Sequence, residues 1–153
     1  MVQIDQLKKI NFFEGFSPAQ LQQIATHCIE KEYSAGEVIC QENEPATHLY
    51  FLSKGLMDVV IQLPRGNPVT ALTIYPGELF GWSALVAPYL FTSSAVTKEP
   101  SMVITLEAAI LKGLFSTDTE LGYEIMARIA ATASQRLRET RQQLLLYIYQ
   151  ESS

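Results

Sequence analysis

Residues 76–96 read PGELFGWSALVAPYLFTSSAV, a stretch that opens on the turn signal Pro76-Gly77 and closes on a run of small and β-branched residues. Proline presets φ and glycine accepts left-handed backbone, so Pro-Gly predicts a tight turn between strands. Such turns recur from Tyr33 to Leu106: Ala35-Gly36, Asn43-Glu44-Pro45, Lys54-Gly55, Pro64-Arg65-Gly66-Asn67-Pro68 and Glu99-Pro100 separate short runs rich in Val, Ile, Tyr, Phe and Thr. Many short strands at turn spacing imply a β-sandwich or barrel. Near the front of the stretch, Gly77-Glu78-Leu79 raises a narrower question, whether Glu78 is a binding carboxylate or a solvated turn residue.

At 153 residues, with 48% hydrophobic and 18% charged residues, the chain has the size of one domain, expected to span 1–153. Its 11 Lys+Arg against 16 Asp+Glu give a net charge of -5, which leaves little to drive binding to nucleic acid by counterion release. The N-terminal residues carry charge and no long apolar run, so no signal peptide is expected. No window approaches the roughly 20 apolar residues of a membrane span. Cys28 and Cys40 suggest neither a disulfide framework nor a zinc site, and the expected compartment is the cytoplasm.

Helical patterns flank the strands. Ser17-Pro18 followed by AQLQQIATHCIE predicts a helix with Ser17 as N-cap, within an N-terminal helical region 1–32. LYFLSKG and LMDVVIQL are expected to pair through Gly55, with PRGNP as an exposed hairpin tip, within a strand region 33–106. The helical period returns over 107–151, first in EAAILKGLF and then in a long helix from Ser116-Thr117-Asp118 to about Tyr149. Along it Ile125, Ile129, Ala133, Leu137, Thr140, Leu144 and Ile148 form a near-heptad stripe. One reading lays this stripe on the barrel. The other, favoured at the apolar end from Leu144 to Tyr149, pairs Ile129, Ala133, Leu137, Leu144 and Ile148 with the same helix of a second copy.

Taken together, FFEGFSPAQLQQIA, YSAGEVICQENEPATHLYFLSKGLMDVV, PGELFGWSAL, SSAV and the long terminal helix resemble the cyclic nucleotide-binding domain of the Crp/Fnr regulators and of protein kinase A regulatory subunits. The similarity runs from about Phe12 to Tyr147. It implies an α+β fold: a double-stranded β-helix, that is a jelly-roll or cupin-like β-roll, flanked by N-terminal helices and a long C-terminal helix. Where many relatives carry a glycine after Gln41-Glu42, this chain has Asn43, which tolerates a left-handed turn.

In that family the ligand lies against a cassette, here 76–96, made of a short helix between two strands. Its pattern is Pro-Gly-x-x-Phe-Gly-Glu-Leu, with an arginine and Ser/Thr-Ala following the second glycine after eleven residues. A buried cyclic phosphate calls for backbone N–H groups and a forked guanidinium, and a carboxylate holds the ribose hydroxyl. If Gly77-Glu78-Leu79 were the gripping tripeptide, the arginine position would fall on Pro88, which donates nothing. If Phe80-Gly81 opens the short helix, the carboxylate position falls on Trp82, the next on Ser83, and the arginine position on Thr92, followed by Ser93-Ser94. The second register keeps the pattern, and it leaves Glu78 solvated on the entry turn.

The resemblance then implies a pocket of Gly81, Trp82, Ser83, Thr92, Ser93, Thr140 and Arg141 that lacks both specific contacts. Charge-assisted hydrogen bonds contribute ~1.5–3 kcal/mol each, so cyclic AMP or GMP is expected to bind about 10² to 10⁴ less tightly than in a complete site. Trp82 either fills the volume of the sugar or joins Tyr89 and Phe91 in an aromatic wall for another ligand. In RLRETR, Thr140 matches a base-contacting threonine. Arg141 either supplies the missing charge or joins Arg138 and Glu139 in an ion-pair face.

The expected function is a non-enzymatic regulatory or sensor module, homodimeric, with a possible protein partner and no cofactor beyond a small anionic or nucleotide-like ligand. The alternatives are cyclic nucleotide binding assisted by Arg141, and a cupin-like metalloenzyme, for which only His27 and His48 are present. Transcriptional relatives continue into a helix-turn-helix, whereas this chain stops at Ser153, so DNA binding in their manner is not expected.

Overall fold

The structure, a computed structural model, describes residues 2–152, the last by its backbone alone. Among these residues eight strands form a jelly roll, built as a long hairpin rolled onto itself. β4 (Met57–Ile61) pairs β5 (Val69–Ile74) across the 62–68 tip. Outward from it β3 (His48–Lys54) pairs β6 (Leu79–Phe80), β2 (Val38–Cys40) pairs β7 (Ser94–Thr97), and β1 (Ile29–Tyr33) pairs β8 (Ser101–Glu107), all antiparallel. Further pairing completes two sheets, in the orders β1-β8-β3-β6 and β2-β7-β4-β5.

Two sequence expectations are corrected here. LYFLSKG and LMDVVIQL do not pair: β3 and β4 belong to different sheets. Gly55, at φ 104, lies against Ser101 so closely that an added Cβ would collide with its side chain and backbone, and the chain is turned from one sheet into the other. The roll also begins earlier than Tyr33. Helix α2 (Pro18–Ala25) stops short of the end of the AQLQQIATHCIE stretch expected to be helical, and Ile29–Tyr33 runs along β8 from Ile29↔Thr105 to Tyr33↔Ser101. Its IEKEY sequence puts charge on an edge strand, which discourages pairing with other chains.

The capping chemistry behaves as expected. Ser17 Oγ accepts from the Gln20 N–H at 3.1 Å while Gln20 Oε1 accepts from the Ser17 N–H at 2.9 Å, a reciprocal cap with Pro18 at the first turn. Asn43 takes φ 70, the left-handed turn that its residue type allows. At the other end, α3 (Ala108–Thr117) and α4 (Thr119–Ser152) are separated at Asp118, whose Oδ1 accepts from the Leu121 N–H at 3.0 Å.

A contiguous core joins the sheets to the helices. Phe51 packs against both Phe12 and Phe13, with ring centroids 5.8 and 4.9 Å away, so β3 carries the N-terminal helical segment (α1, Ile4–Leu7, and a 3₁₀ turn, Asn11–Phe13). Leu121, Ile125 and Ile129 of α4 pack into this core. Ile129 is 1% exposed under its own roll, which corrects its assignment to an interchain stripe. Leu137, Leu144 and Ile148 remain exposed on the same helix. Among the described residues no helix is long and apolar enough to cross a membrane.

Candidate functional site

The cassette starts where β6 ends. Gly81 has φ 81, and an added Cβ would stand 2.8 Å from the Tyr50 ring and 3.1 Å from the His48 carbonyl oxygen, so both its backbone and its surroundings require glycine. Tyr50 stacks on Phe80 at 4.9 Å and thereby fixes the entry to the short 3₁₀ helix Trp82–Leu85. The chain returns through an exposed loop held by the 43–46 turn: the Asn43 N–H donates to the Phe91 carbonyl at 2.9 Å, Phe91 N–H to the Glu44 carbonyl at 3.0 Å, and Ala46 N–H to the Tyr89 carbonyl at 2.8 Å. These bonds set Thr92 and Ser93 opposite Gly81-Trp82-Ser83.

Between the cassette, β4, β5 and α4 lies a cavity of about 540 Å³. Gly81, Trp82, Ser83, Thr92, Ser93 and Thr140 all line it, brought together from three separate parts of the sequence. Arg141 is not on its wall: it follows Thr140 on α4 and is exposed. Tyr89 is also elsewhere, exposed beneath Lys112 Nζ at 4.0 Å from its ring centroid, whereas Phe91 is on the wall. Trp82 is half-buried and lines the cavity. Val59, Ile61, Ala71, Leu72 and Ala95 make the opposite wall apolar, and Ala133 and Leu137 cover it from α4.

The cation on this wall is Arg136, which the sequence reading passed over. Its side chain is only 11% exposed; Nη2 donates to the Leu79 carbonyl and lies 3.9 Å from Glu78 Oε2. Burial pushes the guanidinium's pKa below its usual value, against the opposing pull of Glu78. Glu78 is therefore more than a solvated turn residue, a second correction at the cassette: Oε1 accepts from the Tyr75 N–H at 2.8 Å and Oε2 faces Arg136. A usable signal existed, since Arg136 precedes Thr140 by four residues and so shares its helical face.

Other reactive side chains are scattered. Among the described residues no group of three or more His, Cys, Asp or Glu stands close enough to hold a metal ion. His27 is exposed in the turn after α2, and His48 Nδ1 lies 2.9 Å from Thr47 Oγ1. Both thiols are buried, and burial pushes Cys28 and Cys40 to about 12, so the Cys40 sulfur on the cavity wall is a protonated, poor nucleophile.

Comparison with known proteins agrees with this architecture. The sequence model of the cyclic nucleotide-binding domain matches residues 30–118. A structure from Geobacter metallireducens, described as a cyclic nucleotide-binding protein, is 31% identical with a TM-score of 0.78, covering 90% of this chain and 99% of that one. The CRP-like cAMP-activated global transcriptional regulator of Mycobacterium tuberculosis is 22% identical over 143 residues, 94% of this chain; the match spans 62% of that regulator's length. The fold is shared, at 22% identity and a TM-score of 0.76 over 93% of this chain and 50% of the other, by the regulatory subunit of a cAMP-independent protein kinase A from Trypanosoma brucei. That structure carries three substitutions, one of them threonine to arginine, and is bound to cAMP.

Proposed function

Because this chain belongs to the cyclic nucleotide-binding domain family, we propose that it is a non-enzymatic sensor module whose pocket does not hold cyclic AMP or cyclic GMP tightly. One observation carries the reading: the cavity has an indole and a threonine, Trp82 and Thr92, on its wall and no carboxylate. A cyclic nucleotide entering it would leave its ribose hydroxyl without a charged acceptor, and its phosphate would meet a guanidinium already bonded to Leu79.

The exposed apolar run of α4, from Leu144 to Tyr149, supports assembly of two copies through this helix, with a protein partner as the recipient of the signal. The module is proposed to act in the cytoplasm, and its negative net charge fits one that does not contact nucleic acid. A second reading, cyclic nucleotide binding through an altered cassette, draws on Arg136 in place of Arg141 as the cation on the wall. Calorimetric titration with cyclic AMP and cyclic GMP decides between them. Weak or no binding is expected, and low-micromolar affinity would establish the second reading.

A further inference from the structure

We propose that the cavity receives a small organic acid, a carboxylate carried on an apolar body, with Arg136 binding the acid group; this rests on the reading of the chain as a sensor whose pocket is unsuited to cyclic nucleotides. A guanidinium carries five N–H donors. Arg136 uses Nη2 for the Leu79 carbonyl, and its carboxylate neighbour Glu78 stands at 3.9 Å, beyond good hydrogen-bond range. A cation that is 11% exposed and so loosely compensated gains from a closer anion. Its lowered pKa has the same origin, since burial outweighs the pull of Glu78 and, more weakly, of Glu139.

The remainder of the cavity defines the body of the ligand. Arg136 lines both this cavity and an adjoining one that holds its partners Glu78 and Leu79, so an acid in the larger cavity would turn the guanidinium toward itself, away from the Glu78 side. No carboxylate lines the larger cavity, and Ser83 and Thr140 add hydroxyls to its wall. Facing them, Val59, Ile61, Leu72 and Phe91 present a surface that a saturated or aromatic body would cover. At about 540 Å³ the space is within the ordinary range for small-molecule sites. An acid in place would draw Arg136 away from Glu78, so the two carboxylates compete for one guanidinium.

Octanoate and 4-phenylbutanoate, each compared with its own primary amide, test this by calorimetry, with cyclic AMP titrated in parallel. The acids are expected to bind roughly ten- to hundredfold more tightly than the amides. Arg136→Met should abolish that preference, Arg136→Lys should keep part of it, and Glu78→Gln should tighten acid binding by freeing the guanidinium. The Glu78→Gln result needs no change at Arg136, so it remains decisive if Arg136→Met does not fold: unchanged or weaker acid binding in a folded Glu78→Gln protein overturns the proposal. Equal binding of acid and amide, acid preference surviving in a folded Arg136→Met protein, or no binding of any acid at millimolar concentration overturns the proposal. Tight binding of cyclic AMP overturns the underlying sensor reading instead, whatever the acids do.

Discussion

Arg136 of α4 and Glu78 of the turn before the cassette face each other at 3.9 Å, while the same guanidinium donates to the Leu79 carbonyl. One side chain thus fastens the last helix to the start of the candidate site. Glu78 has two duties, because its other oxygen closes the turn on the Tyr75 N–H at 2.8 Å. Glu78→Gln keeps an acceptor for that N–H and loses the charge, with an expected cost of about 1 kcal/mol. Glu78→Ala loses both and should cost about 1 kcal/mol more. Urea denaturation of the two variants checks the order; equal losses would mean that the turn bond contributes nothing.

Gly55 sits where the chain passes between sheets. Gly55→Ala forces a Cβ into Ser101 at a backbone angle of φ 104, and a loss of about 2–4 kcal/mol is expected. Adding Ser101→Gly should recover the part due to the Ser101 side chain and leave the part due to the Ser101 Cα, 2.8 Å from the added Cβ, and to backbone strain. Thermal melting of the single and double variants separates the two contributions.

The proposed register predicts how tight cyclic nucleotide binding could be installed. Trp82→Glu with Thr92→Arg places a carboxylate and a guanidinium on the cavity wall, and cyclic AMP affinity is expected to rise by about 10² to 10⁴ over the parent. No gain in calorimetry would mean that the register placing Trp82 and Thr92 at the contact positions is wrong.

Leu144 and Ile148 are 38% and 64% exposed on α4. Leu144→Asp with Ile148→Asp should convert an expected dimer to a monomer by light scattering, without lowering the melting temperature of the roll. Ile129→Asp, at 1% exposure, should instead unfold the protein.

The two thiols predict a pH dependence. Burial pushes Cys28 and Cys40 up to about 12, against an ordinary thiol value of 9.0. Between these values the unfolded chain has lost protons that the folded chain retains, so stability should fall as pH rises above about 9. Cys28→Ser with Cys40→Ala should flatten that decline, measured by denaturation at neutral and alkaline pH.

Most of the roll was legible in sequence because turn residues act locally. Gly36, Asn43, Gly66 and Gly77 each adopt positive φ where the spacing of breaks suggested turns. The sheet switch at Gly55 was hidden, since a turn that redirects a strand and one that reverses it can use the same residue, and only Ser101, distant in sequence, distinguishes them. In the cassette, Trp82, Thr92 and Ser93 could be placed by spacing. Arg136 shares a helical face with Thr140, four residues on, and that spacing was the available signal; its burial beneath Leu79 is set by a contact 57 residues away and was not legible. The interchain stripe was divided for a similar reason: periodicity identifies an apolar face, but the length of the roll decides how much of that face it covers.

The nested strand order also constrains how the molecule assembles. β4 and β5 meet across the short 62–68 tip, but β3 must wait for β6, β2 for β7, and β1 for β8, each closing a longer loop than the pair before. The contact from Arg128 Nη1 to the Phe12 carbonyl, at 2.6 Å, spans 116 residues and is among the last available to a growing chain. Folding on the ribosome should therefore advance from the middle of the sequence outward, at the slow rates of high-contact-order folds. Pulse-labelling hydrogen exchange should find the β4 and β5 amides protected first and those of β1 last, with simultaneous protection contradicting an outward zipper.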